Sequence, residues 1–103
     1  MFKLKANPTF EWPVLIPSPD GEQTLTLIFK HKTRDEMKAY FEAASKGETD
    51  DATTIMGIVE GWKDVDAEFS EAAVRELSQN YFGAVPAIFD AYVAGLTQSK
   101  AKN

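Results

Sequence analysis

The sequence has no cysteine and one histidine, His31, in 103 residues. The first absence excludes a disulfide framework, a thiolate zinc site and a cysteine nucleophile. The second excludes a multi-histidine metal site within one chain and a His–His acid/base pair. No apolar run approaches the ~20 residues that a membrane-crossing helix needs, so no membrane partner is expected. The opening stretch Met1-Phe2-Lys3-Leu4-Lys5 lacks the apolar centre of a signal peptide and reads as that of a cytoplasmic protein. The six glycines form no phosphate-binding or nucleophile-elbow pattern. His31 has no activated nucleophile near it in sequence, and the paired carboxylates fall on polar faces. The chain therefore reads as a non-enzyme with no catalytic residue, no metal site and no cofactor.

What is present describes an ordinary core. Apolar residues make up 44% of the chain, aromatics 12% and charged residues 26%, which argues for a globular rather than a disordered chain. One small soluble domain over residues 1–98 is expected, with a flexible polar tail over 99–103. The net charge of -5 is uneven. Residues 47–76 carry two basic and nine acidic side chains, a balance of -7, while 1–46 and 77–103 each carry +1. An acidic waist thus separates two nearly neutral ends. Such a balance makes nucleic acid a poor partner, because Lys and Arg contacts to phosphate supply most of that affinity.

The first third has the period of strands. Leu25, Leu27 and Phe29 alternate with Thr24, Thr26, Ile28 and Lys30. Residues 9–16 form a second apolar run, and Pro13 within it demands an edge or bulged strand because proline cannot donate to a ladder. Pro17-Ser18-Pro19-Asp20-Gly21 supplies turn chemistry between them, so an antiparallel hairpin follows. Residues 2–5 are a candidate third strand.

From Thr33 the period becomes helical. Thr33 and Glu36 make a capping-box pattern, and Met37, Tyr40, Phe41 and Ala44 form one stripe that Gly47 closes. A second helix is expected from Asp50 or Asp51 through the stripe Ile55, Ile58, Val59 and Trp62. A third should start at Ser70, with Phe69 placed to staple against Val74, and end between Asn80 and Gly83. The fourth has Pro86 in its first turn and a face of Ile88, Phe89, Tyr92, Val93 and Leu96. The fold class is α+β: an N-terminal antiparallel β-hairpin followed by about four α-helices.

Three local patterns bear on function. Asp64, Asp66 and Glu68 alternate like the opening of a calcium loop, but Phe69 holds the sixth position, where such loops need glycine, and Arg75 the twelfth, where they need an acid. The run reads as a solvated loop, or as a surface for a basic partner. Trp62, at the end of an apolar stripe, either packs between helix and hairpin or serves as an interaction anchor. Lys30, His31, Lys32, Arg34 and Lys38 form a basic cluster, either a solvated strand end or the patch of a small regulatory or nucleic-acid-associated module.

In order along the chain, several segments resemble those of phage tail assembly chaperones. Phe29-Lys30-His31-Lys32-Thr33-Arg34-Asp35-Glu36 resembles the family's hydrophobic-x-His-x-Ser/Thr-Arg-Asp-Glu junction. Gly61-Trp62-Lys63-Asp64-Val65-Asp66-Ala67-Glu68-Phe69 resembles its Gly-Trp-x-x-Val-Asp-x-x-Phe segment. Residues 81–96, with Ala84, Ile88, Ala91 and Tyr92, resemble its last helix, and Phe82 stands where the family pattern has proline. The resemblance covers residues 25–103. It implies a non-enzymatic role in phage or prophage tail morphogenesis in the bacterial cytoplasm: binding the tape-measure protein, keeping its apolar helices soluble and recruiting tail-tube subunits. Trp62, Asp64, Asp66, Phe69, Phe89 and Tyr92 are the expected partner-binding residues, in an apolar groove beside Trp62 and the last helix. A homo-oligomer is left open.

Overall fold

The computed structural model describes residues 1–47 and 49–98. Strands β1 (Thr9–Ile16) and β2 (Gln23–Lys30) pair antiparallel in unbroken register, from Thr9 opposite Lys30 to Ile16 opposite Gln23. The turn closes where its residues dictate. Gly21 N–H donates to the Ser18 carbonyl at 3.0 Å, with Pro19 between them and Gly21 at φ 108°. Pro13 lies opposite Thr26 on an exposed edge, where its missing donor leaves no ladder bond unmade.

The remaining elements are α1 (Arg34–Ser45), α2 (Asp51–Met56), β3 (Val59–Lys63), α3 (Glu71–Asn80) and α4 (Ala84–Thr97). β3 corrects the sequence expectation. The second helix stops at Met56, and the residues from Val59 through Trp62 run antiparallel to β2, giving the sheet order β1-β2-β3. Ile28 pairs with Gly61 and Phe29 with Val59, so Glu60 is the extra residue of a bulge. Residues 2–5, the candidate third strand, form no strand, and Phe2 and Leu4 are 86% and 96% exposed. The expected tail over 99–103 lies outside the described residues.

The helical caps follow the sequence closely. Thr33 accepts from Glu36 N–H while Glu36 accepts from Thr33 N–H at 2.8 Å, a complete capping box that holds the Glu36 carboxyl below its ordinary value. Asp50 caps α2 through Thr53 N–H, and Ser70 caps α3 through Ala73 N–H. Arg75, one turn into α3, bonds Asp50 at 2.6 Å and ties the two helix starts together. That hydrogen bond holds the Asp50 carboxyl well below the usual carboxylate range and raises the guanidinium in return.

The core sits between one face of the sheet and the helices. Val14, Ile16, Leu27 and Phe29 from the hairpin meet Ala84, Ile88 and Tyr92 of α4, with Ile55, Ile58 and Val74 alongside. Burying each large side chain contributes about 1.5–3 kcal/mol. Helix α4 can lie this close to β1 because position 95 is glycine. A Cβ there would stand 2.5 Å from Phe10 Cε2. Phe10, Phe29 and Tyr92 form an aromatic trio with ring centres 5.1–6.0 Å apart. The Tyr92 hydroxyl donates to the Lys30 carbonyl at 2.7 Å, and burial pushes the phenol up to about 12.

Helix α1 is attached differently. It buries no residue fully, and Tyr40 anchors it by lying against Gly57 and donating its hydroxyl to the Thr54 carbonyl. Partial burial raises the Tyr40 phenol as well.

Candidate functional site

β3 delivers Trp62 opposite Leu27, at the edge of the covered sheet face. The indole is half-buried and locked on two sides. Its N–H donates to the Ala67 carbonyl at 2.9 Å, and Phe69 meets it edge-on with ring centres 5.2 Å apart. To close this loop Asp64 adopts φ 58°, a left-handed conformation that short polar side chains tolerate better than most. Phe69 then leads directly into the Ser70 cap of α3.

The result is a groove of ≈ 500 Å³ between the hairpin end and α3. Ile16, Leu25, Trp62, Leu77 and Tyr81 supply its apolar wall, and Asp64, Asp66 and Glu76 its acidic rim. These three carboxylates are exposed, and the two basic residues of the acidic waist are engaged elsewhere: Lys63 with Glu11, which raises the ammonium, and Arg75 with Asp50. Asp64 adds to the raising of the Lys63 ammonium beside it, so Asp66 and Glu76 hold most of the rim's surplus negative charge.

Three of the six residues expected to bind partners converge here: Trp62, Asp64 and Asp66. Phe69 stands behind Trp62 as its support. Phe89 is half-buried beneath α1, 6.4 Å from Phe41, and belongs to another surface. Tyr92 is fully buried and corrects the expectation: it holds the fold and presents nothing to a partner. The groove beside Trp62 is also walled by α3, not by the last helix. Leu77 and Tyr81 were missed as groove residues. Their signal was the stripe Ala73, Leu77, Tyr81 at intervals of four, one edge of which was free to face outward.

A second groove, ≈ 630 Å³, lies at the opposite end of the molecule. Met37, Phe41, Val93 and Leu96 form its apolar lining. His31, Lys32, Arg34 and Lys38 surround them, so most of the basic cluster converges here. Lys30 does not join it, because its ammonium donates to the Met56 carbonyl at 3.1 Å. Lys32 sits over the Tyr40 ring, 5.3 Å from its centre. Both grooves combine apolar walls with charged rims. Among the described residues no helix is long and apolar enough to cross a membrane.

Comparison with known proteins agrees with the resemblance seen in the sequence. The model of a family described as phage tail assembly chaperone matches residues 1–103. No curated protein and no solved structure matches the chain. With the match running over the whole sequence, the chain belongs to the phage tail assembly chaperone family.

Proposed function

We propose that the chain is a non-enzymatic chaperone that binds the tape-measure protein of its phage or prophage and helps recruit tail-tube subunits, acting in the host cytoplasm. The observation that carries this reading is the Trp62 groove: an apolar trough with an acidic rim, in a protein of this family. An amphipathic partner helix lays its apolar face into such a groove, and basic residues flanking that face meet Asp64, Asp66 and Glu76. The acidic surplus of residues 47–76 keeps the loaded complex dissolved by self-repulsion.

Co-expression with the tape-measure protein tests the reading. A co-purifying complex and a larger soluble fraction of the tape-measure protein are expected. Leu77→Glu, a change at the groove wall, should abolish both while leaving the circular dichroism spectrum unchanged. Trp62→Ala removes the anchor and the support of the 64–69 loop together. A Leu77→Glu protein that still binds normally would take the groove out of the mechanism, and absence of any complex with the unaltered chain would sink the function.

A further inference from the structure

The groove at the open end of the hairpin is a seam between two helices. Met37 and Phe41 stand one turn apart on α1, and Val93 and Leu96 one turn apart on α4. Phe41 and Val93 are 38% and 44% exposed, so the seam holds apolar surface that the fold itself does not cover. Two such stripes on neighbouring helices form the seat that a bundle fills with a third helix. None of this chain's helices is free to fill it. α1 and α4 are its walls, while α2 and α3 turn Ile55 and Val74 into the core. The occupant is therefore a helix of another protein.

The charge of the seam says which kind of helix. Lys32, Arg34 and Lys38 stand around the apolar residues, and no Asp or Glu lines the groove among the described residues. Arg34 and Lys38 make no ion pair among the described residues. Asp35 and Glu36 also lie on the first turn of α1, but Glu36 is held in the capping box. The fitting occupant is an amphipathic helix with Asp or Glu beside its apolar face. Nucleic acid fits less well, because the cations ring an apolar trough and do not line a track for phosphates. A second element is rooted at the same place. The Pro8 carbonyl accepts from the N–H of His31, itself a groove residue, so residues 1–8 start beside the seam. This arm has the seam's own chemistry: Phe2 and Leu4, almost wholly exposed, are interleaved with Lys3 and Lys5. From Pro8, Phe2 can reach up to about 20 Å, more than the ~10 Å diameter of a helix.

We propose that the α1–α4 seam docks an acidic amphipathic helix of another protein, and that residues 1–8 close over the seated helix as a strap. Carboxylates beside the helix's apolar face meet Lys32, Arg34 and Lys38, and those on its outer side meet Lys3 and Lys5. Like charge holds the arm off the empty seam, and an acidic occupant placed between the two sets of cations removes that repulsion. Phe2 and Leu4 then gain apolar surface to cover. The Trp62 groove takes no part in this docking, so it and the tape-measure reading can fail separately.

Fluorescence anisotropy with a labelled helical peptide of about 15 residues tests the proposal. The probe carries leucines at i, i+3, i+4 and i+7 with glutamates around them, and a second version has glutamine at every glutamate. The glutamate peptide should bind at least ~10-fold more tightly at low salt, an advantage that shrinks as salt rises. Val93→Asp, and Arg34→Glu together with Lys38→Glu, change exposed positions and should leave thermal unfolding nearly unchanged. Each should weaken binding of the glutamate peptide at least ~10-fold. Phe2→Ser with Leu4→Ser should speed its dissociation about 3–10-fold, and Leu77→Glu in the other groove should leave it unchanged. Equal affinity for the two peptides overturns the proposal, as does a Val93→Asp protein that binds like the unaltered chain. Arm changes that leave dissociation unaltered overturn the strap. A short duplex DNA that binds through Arg34 and Lys38, where the glutamate peptide does not, assigns the patch to phosphate and overturns the docking.

Discussion

The Tyr92 hydroxyl offers a sharp test of how the core is held. It donates to the Lys30 carbonyl at 2.7 Å from a side chain with 0% exposure, joining α4 to the last residue of β2. Tyr92→Phe keeps the ring and its packing on Phe10 and Phe29 and deletes only that bond. At neutral pH the expected loss is about 1 kcal/mol, the net worth of one intramolecular hydrogen bond. With a urea slope of about 1–2 kcal/mol per molar, the unfolding midpoint should fall by about 0.5–1 M. The pH dependence then separates this cause from a packing defect. The phenol titrates at about 12 in the folded chain against an ordinary 10.0, so it remains protonated in the fold where the unfolded chain has begun to ionise. Its contribution is therefore complete below pH 10 and is lost as pH rises toward 12, at about 1.4 kcal/mol per pH unit. The Tyr92→Phe protein lacks this loss, and the smaller effect of the Tyr92 phenol on Tyr40 disappears with it. The midpoints should converge, with the difference gone near pH 11. Equal midpoints at pH 7, or a gap that stays constant up to pH 11, would refute the reasoning.

Three further outcomes follow from other contacts. Thr33→Ala breaks the capping box of α1 and should cost about 1 kcal/mol, seen as a fall of about 4–8 °C in thermal unfolding, while Thr33→Ser should restore most of it. Gly57→Ala would normally stabilise at a negative φ, yet here the new Cβ meets Tyr40 Cε1 at 2.8 Å and the Thr54 carbonyl at 3.2 Å. A net loss of about 1–3 kcal/mol is expected, and a gain would show that α1 moves aside freely. Asp50, depressed by Arg75 and the Thr53 N–H, stabilises the fold above its ordinary pKa of 3.8 and ceases to do so as pH falls below it. Acid titration followed by circular dichroism should therefore show Asp50→Ala losing less stability than the unaltered chain below pH 4.

The parts of the fold that the sequence displays are those in which a single local rule operates without a rival. The hairpin has alternation on both strands and a Pro-Asp-Gly turn between them. Thr33, Asp50 and Ser70 are polar caps followed by helical periodicity, and each one caps. β3 was hidden because two rules compete there. Ile55, Ile58, Val59 and Trp62 satisfy helical spacing, while the strand has only five residues and its bulge at Glu60 spoils the alternation. The bond from Lys30 N–H to the Ile58 carbonyl shows that tertiary pairing with β2 decides the matter. The same error displaced the site. Trp62 on a helix would have faced the last helix, but Trp62 on a strand faces α3, bringing in Leu77 and Tyr81. Tyr92 was misjudged for a different reason: periodicity identifies the apolar face of α4 but cannot say which ring on that face the sheet will cover.

The bond between Tyr92 and Lys30 also has a consequence in time, because it joins positions 62 residues apart. A ribosome adding about 5–20 residues per second needs roughly 3–12 s to travel from one to the other. Through that interval the newborn hairpin carries Phe10, Trp12, Val14 and Phe29 with no helix to cover them. A member of a chaperone family thus passes its own first seconds with its apolar strands uncovered.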